Sequence, residues 1–446
     1  MNFKIKARYT THLRKKIETI PGDKSISHRA VILGALSEGT SYFTHFLDSE
    51  DCLHTMAIFQ AMGVPIVHSL AQNTLRVDGV GLKGLQQPEE ILYVGNSGTS
   101  IRLLTGVLAG QKFDTQITGD ESIQKRPMKR VINPLTEMGA KITGEAKENS
   151  EDIYPMLSVS GNQTLHGIHY TLPVASAQVK SAILLASLYS DTPTTITEPQ
   201  ACRDHSERML KGFGADIQVN GKQVTCSGKK PLKNPNPTEP IHIPADISSA
   251  AFFVVLGAIL QETKLSLTGI GINPTRTAIL TVLQAMGAEI NVSNKKGEQL
   301  EPYGDILIQK SALKNIKIPE NFIPFLIDEI PILAIAALFG TGTLKITGAE
   351  ELRVKESDRI NGIVEMVTAM GGTIHAYKDG FELTGPTTFK DFTVKSYGDH
   401  RIAMSAIIGA IASGKAAVVE DCDCIYTSFP NFFDVLKELG IEFELE

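Results

Sequence analysis

Two cations and a hydroxyl group lie beside a Pro-Gly turn near the start of the chain. The segment PGDKSISHR places Lys24, Ser25 and Arg29 where a helix is predicted to begin. The first turn of a helix leaves backbone N–H groups free to bind an anion, and cations beside them add charge to the same site. The pattern predicts a phosphate or carboxylate site, with a capped helix and solvated charges as the alternative.

Three more segments in the first half of the chain have the residue types of an anion site. GNSGTSIR places Gly98 in a glycine-rich turn before a helix, where bare backbone can approach a ligand. KRPMKR places Arg126 directly before a proline that restricts the chain, which favours a bidentate contact with carboxylate or phosphate. SAQVKS begins a helix with Ser176. A plain turn, a solvated helix face and an ordinary helix cap are the respective alternatives.

Carboxylates join the cations in the second half of the chain. DEIP places Asp328 just before a proline and an apolar helix, where burial raises a carboxyl pKa and a helix start lowers it. LRVKESDR alternates Lys355 and Arg359 with Glu356, and GDHR places Arg401 at another helix start. Helix capping and a salt-bridged surface turn are the alternatives. Carboxylates placed among cations are more typical of a catalytic site than of a simple anion-binding surface.

Six copies of one sequence unit carry these segments. Each copy has a helix end marked by an apolar residue and a glycine, and successive glycines lie 69 to 84 residues apart: Gly63, Gly139, Gly214, Gly287, Gly371 and Gly440. Roughly 40 residues before each glycine an apolar helix begins, with its start marked by Lys24, Gly98, Ser176, Asp246, Asp328 and Asp399. A fixed period with varied chemistry at one point predicts a scaffold that gathers six helix ends, with the site built there.

The sequence of each copy predicts secondary-structure elements in the order βαβαββ. The first helix is apolar nearly all round and must be buried, the second is amphipathic and ends at the glycine, and a hairpin follows. Three units sharing a core predict an α/β fold of two domains with buried parallel helices. Five prolines between Lys229 and Pro244 predict an extended linker between the third and fourth units. A strand predicted from Phe3 to Arg8 could pair with either half.

Composition excludes several classes of protein. A chain of 446 residues predicts two domains, and a net charge of -6 offers no basic field for nucleic acid. The longest apolar stretches, such as Ala250–Leu260, are about half a membrane span. The five cysteines form no CxxC and no zinc-ligand pattern, which favours reduced thiols in a cytoplasmic protein. Many cations in an acidic protein favour a substrate with several negative charges, with a phosphate and a carboxylate.

The motifs PGDKSISHR, GNSGTSIR, KRPM, SAQVKSA, RDHSERM, DEIP, LRVKESDR and GDHR resemble those of the 5-enolpyruvylshikimate-3-phosphate synthase family, in the same order, from residue 21 to 401. The resemblance implies the two-domain enolpyruvyl transferase fold of six βαβαββ repeats. Residues 22–241 would form repeats 1–3 on the shikimate-3-phosphate side. Residues 1–21 and 242–446 would form repeats 4–6, a closing domain with the catalytic Asp and the phosphoenolpyruvate-binding Arg residues.

The resemblance further implies transfer of enolpyruvate from phosphoenolpyruvate to the 5-hydroxyl of shikimate-3-phosphate, with release of phosphate, in aromatic amino acid biosynthesis. It implies a monomer that needs no metal or organic cofactor and binds small-molecule substrates, not nucleic acid or membrane. Glyphosate would inhibit it near Gly98. Leu103 and Thr427 depart from the family pattern, because many members have proline at the first position and some have a phosphoenolpyruvate-binding lysine at the second.

The same resemblance assigns a role to each matched residue. The residues for shikimate-3-phosphate would be Lys24, Ser25, Arg29, Ser176, Ala177, Gln178, Arg203, Asp328 and Lys355. The residues for phosphoenolpyruvate would be Lys24, Gly98, Arg126, Gln178, Arg359 and Arg401. Asp328 would act as general base on the 5-hydroxyl, and Glu356 and Lys24 would transfer a proton at the enolpyruvyl carbon.

Two alternative functions would each require a different set of residues. The related transfer of enolpyruvate to UDP-N-acetylglucosamine uses a reactive cysteine in the loop before Arg-Pro, and residues 121–126 contain no cysteine. A non-catalytic repeat protein that binds polyanions would need the cations but not Asp328 and Glu356.

Overall fold

The computed structural model describes residues 1–7, 13–148 and 150–446. Within them the chain divides into two compact units. The N unit consists of Gly22–Ile243 with Gln299–Glu301, and the C unit consists of Met1–Pro21, Pro244–Glu298 and Pro302–Glu446. Each unit is described by itself below.

The chain begins with two short strands that belong to the C unit, β1 (Phe3–Ile5) and β2 (Arg14–Ile17). The N unit follows with three repeats. They contain, in order, α1 (Lys24–Leu36), β3 (Ser37–Thr44), α2 (Glu50–Ala61), β4 (Ile66–Ser69), β5 (Thr74–Val80), β6 (Leu92–Tyr93), α3 (Gly98–Leu108), β7 (Thr115–Thr118), α4 (Lys129–Glu137), β8 (Lys141–Ala146), β9 (Ile153–Ser160), β10 (His169–Thr171), α5 (Ala177–Ser187), β11 (Thr194–Thr197), α6 (His205–Gly212), β12 (Asp216–Asn220), β13 (Gln223–Ser227), β14 (Leu232–Lys233) and β15 (Ile241–His242).

The C unit continues with three more repeats of the same kind. They contain α7 (Ile247–Ile259), β16 (Lys264–Gly271), α8 (Ala278–Ala285), β17 (Glu289–Lys296), β18 (Tyr303–Gln309), α9 (Ile323–Leu326), α10 (Ile330–Phe339), β19 (Gly342–Ile346), α11 (Arg359–Ala369), β20 (Thr373–Tyr377), β21 (Gly380–Gly385), β22 (Phe392–Lys395), α12 (His400–Ser413), β23 (Ala417–Glu420), α13 (Phe432–Glu438) and β24 (Glu444–Leu445).

The N unit has three sheets that share one strand pattern. Their orders are β6-β7-β9-β8, β10-β11-β13-β12 and β14-β3-β5-β4, with β15 also paired with β3. The first pair of each sheet is parallel and the hairpin pairs are antiparallel. The proline-rich segment forms no helix, as predicted, but it bends between two short strands and is more than a linker. Its two strands complete the first sheet, with Leu232 opposite Ser37 and Ile241 opposite Phe43.

The C unit repeats this pattern with two contributions from the start of the chain. Its sheets have the orders β17-β18-β16-β2, β19-β21-β20 and β22-β23-β1-β24. Strand β1 pairs with β23 and β24, and β2 runs parallel to β16. The predicted first strand therefore pairs within the C unit; Arg8, where it was expected to end, lies outside the described residues. The α/β fold with six repeats is confirmed.

Buried helices form the core of each unit. Every residue of α7 is buried, as are residues 330–338 of α10 and residues 26–36 of α1. A helix that is apolar on all faces removes more apolar surface from water when it lies in the interior than when it packs against a single neighbour. In the N unit α3 packs against α5 and α1, and in the C unit α10 packs against α7 and α12. The core of each unit therefore surrounds three such helices.

The six predicted helix ends are confirmed. Each amphipathic helix stops at the apolar residue, and the glycine after it takes the left-handed conformation, with φ between 80° and 103°. This conformation ends a helix at little steric cost only when the residue lacks a Cβ atom.

No single helix among the described residues is long and apolar enough to cross a membrane. One pair, Glu320–Leu326 with Ile330–Phe339, passes the same length and composition test when taken together, but it is bent by 114°. Residues 330–338 of this pair are buried in the core of the C unit.

Candidate functional site

Lys24 is the first residue of α1, directly after the Asp23 cap. The Asp23 carboxylate accepts a hydrogen bond from the backbone N–H of Ile26 at 2.9 Å, which satisfies part of the helix start. The Lys24 ammonium lies 3.0 Å from the carboxylate of Asp51 in the first turn of α2. A cation is therefore held at this helix start by a carboxylate from the neighbouring helix.

Arg29 lies one turn further along α1 and is almost completely buried. Its three guanidinium nitrogens donate to the Ser25 carbonyl and to the hydroxyls of Ser181 and Ser206, each at 2.8 Å. Burial lowers the pKa of Arg29 to about 10, against the attraction of the Glu207 carboxylate. The side chain is still a cation at neutral pH, and its orientation is set by α5 and α6.

A buried ion cluster that the sequence analysis missed supports this region. The Lys180 ammonium lies 2.9 Å from Glu198 and 2.5 Å from Glu207, and all three side chains are buried. Burial opposes the charge on Lys180, but the carboxylates outweigh it and raise the pKa of the ammonium. Removing one partner from such a cluster would leave an uncompensated buried charge. The available signal was a lysine inside the otherwise apolar SAQVKSAILLAS helix.

Two guanidinium groups flank Gly98 at the start of α3. A Cβ atom added to Gly98 would lie 2.6 Å from Nη1 of Arg126 and 3.1 Å from Nη1 of Arg102. Arg102 also donates to the side-chain oxygen of Gln178, whose amide donates to Thr99 Oγ at 3.0 Å. The first turns of α3 and α5 thus meet beside two cations, an arrangement suited to an anion. Arg102, the last letter of GNSGTSIR, was not predicted.

The other predicted residues of the N unit lie at the starts of α5 and α6. Ser176 caps α5, with its hydroxyl accepting from the backbone N–H of Val179 at 3.4 Å, and Ala177 is the first residue of the helix. Arg203 lies just before α6, and its charge acts on Arg29 to lower the pKa of that side chain. Helix starts of this unit therefore collect the residues that the sequence placed in separate motifs.

In the C unit three carboxylates surround the guanidinium of Arg359, which is 1% exposed. Its nitrogens donate to Asp399 at 2.8 Å, to Glu356 at 2.6 Å and to Asp328 at 3.2 Å. Burial opposes the charge on Arg359, but the three carboxylates outweigh it and raise its pKa. Burial would also raise the pKa of Asp399, yet the Arg359 cation lowers it. Asp399, in GDHR, was predicted only as a helix start.

Asp328 also faces Lys355, although it does not cap α10. The cap residue is Glu329, with no side-chain capping bond, so the helix-start marker expected at Asp328 is wrong by one residue. The Lys355 ammonium lies 3.9 Å from Asp328 and 3.2 Å from Glu351. The Asp328 carboxylate thus lies 3.9 Å from the Lys355 ammonium and 3.2 Å from the Arg359 guanidinium.

Arg401 belongs to a second ion cluster, centred on Glu329. The Glu329 carboxylate is fully buried; it lies 3.9 Å from Nη1 of Arg401 and 3.8 Å from Nη2 of Arg276, and accepts from the hydroxyl of Ser248. Arg276 in turn donates to Ser248 at 2.5 Å. The starts of α7, α10 and α12 are joined in this way. Glu329 is the second carboxylate of the DEIP segment, but sequence reasoning gave it no role, and it missed Arg276, because the partners of a buried charge come from distant segments.

The described parts of the chain show no metal cluster, and Thr427 occupies the position where some family members have a lysine. No group of three or more His, Cys, Asp or Glu residues there is arranged to hold a metal ion. Thr427 ends the short 3-10 helix Cys422–Thr427, and its hydroxyl donates to the Cys424 carbonyl at 2.7 Å. The position therefore carries a hydroxyl engaged with backbone.

Comparison with known proteins assigns the family. A model of the EPSP synthase (3-phosphoshikimate 1-carboxyvinyltransferase) family matches residues 8–436. A 3-phosphoshikimate 1-carboxyvinyltransferase of Bacillus cytotoxicus is 50% identical over 421 residues, covering 94% of this chain and 96% of the relative. One from Alkalilimnicola ehrlichii is 47% identical over 422 residues, covering 95% and 92%. The solved EPSP synthase of Acinetobacter baumannii superposes with a TM-score of 0.87 at 42% identity, covering 99% of both chains. The chain belongs to the EPSP synthase (3-phosphoshikimate 1-carboxyvinyltransferase) family.

Proposed function

We propose that this protein is a 3-phosphoshikimate 1-carboxyvinyltransferase of the shikimate pathway. It transfers the enolpyruvyl group of phosphoenolpyruvate to the 5-hydroxyl of shikimate-3-phosphate and releases phosphate. Family membership supports this activity. The observation that carries it is the grouping of Asp328 and Glu356 on the buried guanidinium of Arg359, because proton transfer and binding of an anion then occur at one place.

Shikimate-3-phosphate is assigned mainly to the N unit in this proposal. Three features support a phosphate site there: the helix starts of α1 and α5, the Lys24 ammonium and the fixed Arg29 guanidinium. The residues proposed to bind this substrate are Lys24, Ser25, Arg29, Ser176, Ala177, Gln178 and Arg203, with Asp328 and Lys355 of the C unit for the ring hydroxyls.

Phosphoenolpyruvate carries a phosphate and a carboxylate, so it needs several cations. Arg126 beside Gly98 supports one contact, since bare backbone and a guanidinium lie together at the start of α3. Arg359 donates to the buried Asp399 carboxylate at 2.8 Å, and Arg401 lies 3.9 Å from the buried Glu329 carboxylate. The residues proposed to bind phosphoenolpyruvate are Lys24, Gly98, Arg126, Gln178, Arg359 and Arg401.

The reaction is addition of a hydroxyl followed by elimination of phosphate. Asp328 takes the proton of the 5-hydroxyl, and cations 3.2 and 3.9 Å away attract the negative charge that a base must carry. Glu356 and Lys24 are the proposed groups for proton transfer at the enolpyruvyl carbon. Fixed arginine and lysine donors stabilise the charge on the carboxylate and on the leaving phosphate. No step needs a metal or an organic cofactor, and we further propose a cytoplasmic monomer.

Release of inorganic phosphate tests the activity directly. The purified protein should release phosphate only when shikimate-3-phosphate and phosphoenolpyruvate are both present, and mass spectrometry should detect the enolpyruvyl ether. UDP-N-acetylglucosamine in place of shikimate-3-phosphate is the control for the related transfer. Binding of both compounds without turnover would favour a non-catalytic phosphosugar-binding protein and would refute the proposal.

Gly98→Ala should weaken inhibition by glyphosate more than it weakens use of phosphoenolpyruvate. We expect glyphosate to compete with phosphoenolpyruvate, since both carry a phosphorus oxyanion and a carboxylate. The added methyl group would lie 2.6 Å from Nη1 of Arg126, so this guanidinium must move. Glyphosate is longer than phosphoenolpyruvate and therefore has less room to follow. The measurement compares the inhibition constant of glyphosate and the KM for phosphoenolpyruvate in the wild-type and variant proteins. If both constants rise by equal factors, the placement of phosphoenolpyruvate at Gly98 is contradicted.

A further inference from the structure

A chain of buried hydrogen bonds runs from α1 through α2 to the start of α3. His28 Nδ1 lies 2.8 Å from Thr55 Oγ, Thr55 Oγ lies 2.8 Å from Ser100 Oγ, and Ser100 Oγ donates to Ser97 Oγ at 2.7 Å. The side chains of His28, Thr55 and Ser100 are completely buried, and Ser97 is 1% exposed. Ser97 is the cap of α3, directly before Gly98.

The donors in this chain determine the protonation of His28. The Ser97 hydroxyl oxygen accepts from both the backbone N–H and the hydroxyl of Ser100, so the Ser100 hydrogen is used. Thr55 Oγ lies 2.8 Å from Ser100 Oγ and also donates at 3.3 Å toward the Asp51 carbonyl. The shorter contact with Ser100 needs the Thr55 hydrogen, because that of Ser100 is used, and His28 Nδ1 is then the donor to Thr55. The other ring nitrogen, Nε2, is buried and has no hydrogen-bond partner among the described residues.

A second proton on His28 is opposed by its surroundings. Burial is the main cause that holds the pKa of the imidazole well below its usual range, and the charges of Lys24 and Arg29 lower it further. The ring is therefore neutral, with its hydrogen on Nδ1. In that form Nδ1 can only donate a hydrogen bond to Thr55. All the hydrogen bonds from His28 to Ser97 are then donated in the same direction.

We propose that His28 is a positioning residue for phosphoenolpyruvate, acting through Thr55 and Ser100 on the Ser97 cap and the turn at Gly98. Hydroxyl groups rotate, and a chain of them without a terminal donor has no preferred direction. The Nδ1–H of His28 removes this freedom and holds the first turn of α3 through its Ser97 cap. The role rests on the proposed function, which assigns the Gly98 turn to phosphoenolpyruvate.

Steady-state kinetics of two His28 variants test the role. His28→Leu keeps the bulk of the side chain but removes the donor, and we expect the KM for phosphoenolpyruvate to rise about 3- to 10-fold, the effect of one lost hydrogen bond. The KM for shikimate-3-phosphate should stay within about twofold. His28→Asn places an amide N–H where Nδ1–H was and should restore the KM for phosphoenolpyruvate.

The next link in the chain provides a matched variant. Thr55→Val leaves His28 unchanged and should raise the same KM by a similar factor, and the double variant should be no worse than either single one. An equal rise in both KM values, an unchanged KM for phosphoenolpyruvate in an active His28→Leu protein, or additive effects would overturn the role of His28 but not the proposed function. Absence of turnover in the wild-type protein would refute the proposed function instead.

The direction of the hydrogen bonds from His28 to Ser97 can be tested without measuring turnover. Nitrogen-15 NMR of histidine-labelled protein at neutral pH should show His28, identified by the signal missing in His28→Asn, as neutral with hydrogen on Nδ1. A hydrogen on Nε2, or a doubly protonated ring, would overturn the proposal whatever the enzyme transforms.

Discussion

Replacing Asp328 by asparagine should lower turnover by about two to four orders of magnitude, the range for a lost general base. Asparagine keeps the size of the side chain and can still contact the substrate, but it cannot take the proton of the 5-hydroxyl. The carboxylate lies 3.2 Å from Nη1 of Arg359 and 3.9 Å from the Lys355 ammonium, so loss of its charge also leaves these cations less compensated. Binding of both substrates should remain largely intact, which calorimetric titration and single-turnover kinetics would measure.

Asp358→Asn is the matched control for this experiment. Asp358 caps α11 and pairs with the partly exposed Arg353, and asparagine is a comparable cap. The control should keep turnover close to that of the wild-type protein. If Asp328→Asn does so as well, Asp328 is not the base.

Replacing Arg359 by methionine should destabilise the C unit by about 3–5 kcal/mol, the cost of breaking a buried ion pair by removing one partner. The change would leave Asp399, Glu356 and Asp328 close together without the guanidinium that all three accept from. Calorimetry should show the transition of this unit lowered on the order of 10 °C. Turnover should fall as well, because the proposed phosphoenolpyruvate site loses a cation.

Two further variants separate the electrostatic cause from lost packing. Adding Asp399→Asn to Arg359→Met removes one of the unpaired charges and should recover part of the lost stability. Arg353→Met removes another guanidinium from the same unit. The Arg353 side chain is 30% exposed, so the decrease in the transition temperature should be much smaller. Equal shifts for Arg353→Met and Arg359→Met would contradict a special role for the buried cluster.

The repeats and their helix ends were determined by the sequence by itself. An apolar residue followed by glycine ends a helix through a local effect, the left-handed conformation that glycine adopts without steric cost, and all six such ends are found. Helices that are apolar on every face must be buried in any fold, so α7 and α10 were predictable too. The order of the motifs from PGDKSISHR to GDHR was enough to indicate the family.

Only the tertiary structure decided which charges are buried and which partners they have. Arg29 donates to Ser206, 177 residues away, and Arg359 to Asp399, 40 residues away, and no local pattern encodes either pair. Runs such as LRVKESDR are usually solvated, and the burial of Arg359 depends on α12 packing beside α11. The pairing of β1 with β23 depends likewise on segments more than 400 residues apart. Local backbone preferences are present in the sequence, whereas desolvation and charge pairing depend on the distances that folding creates.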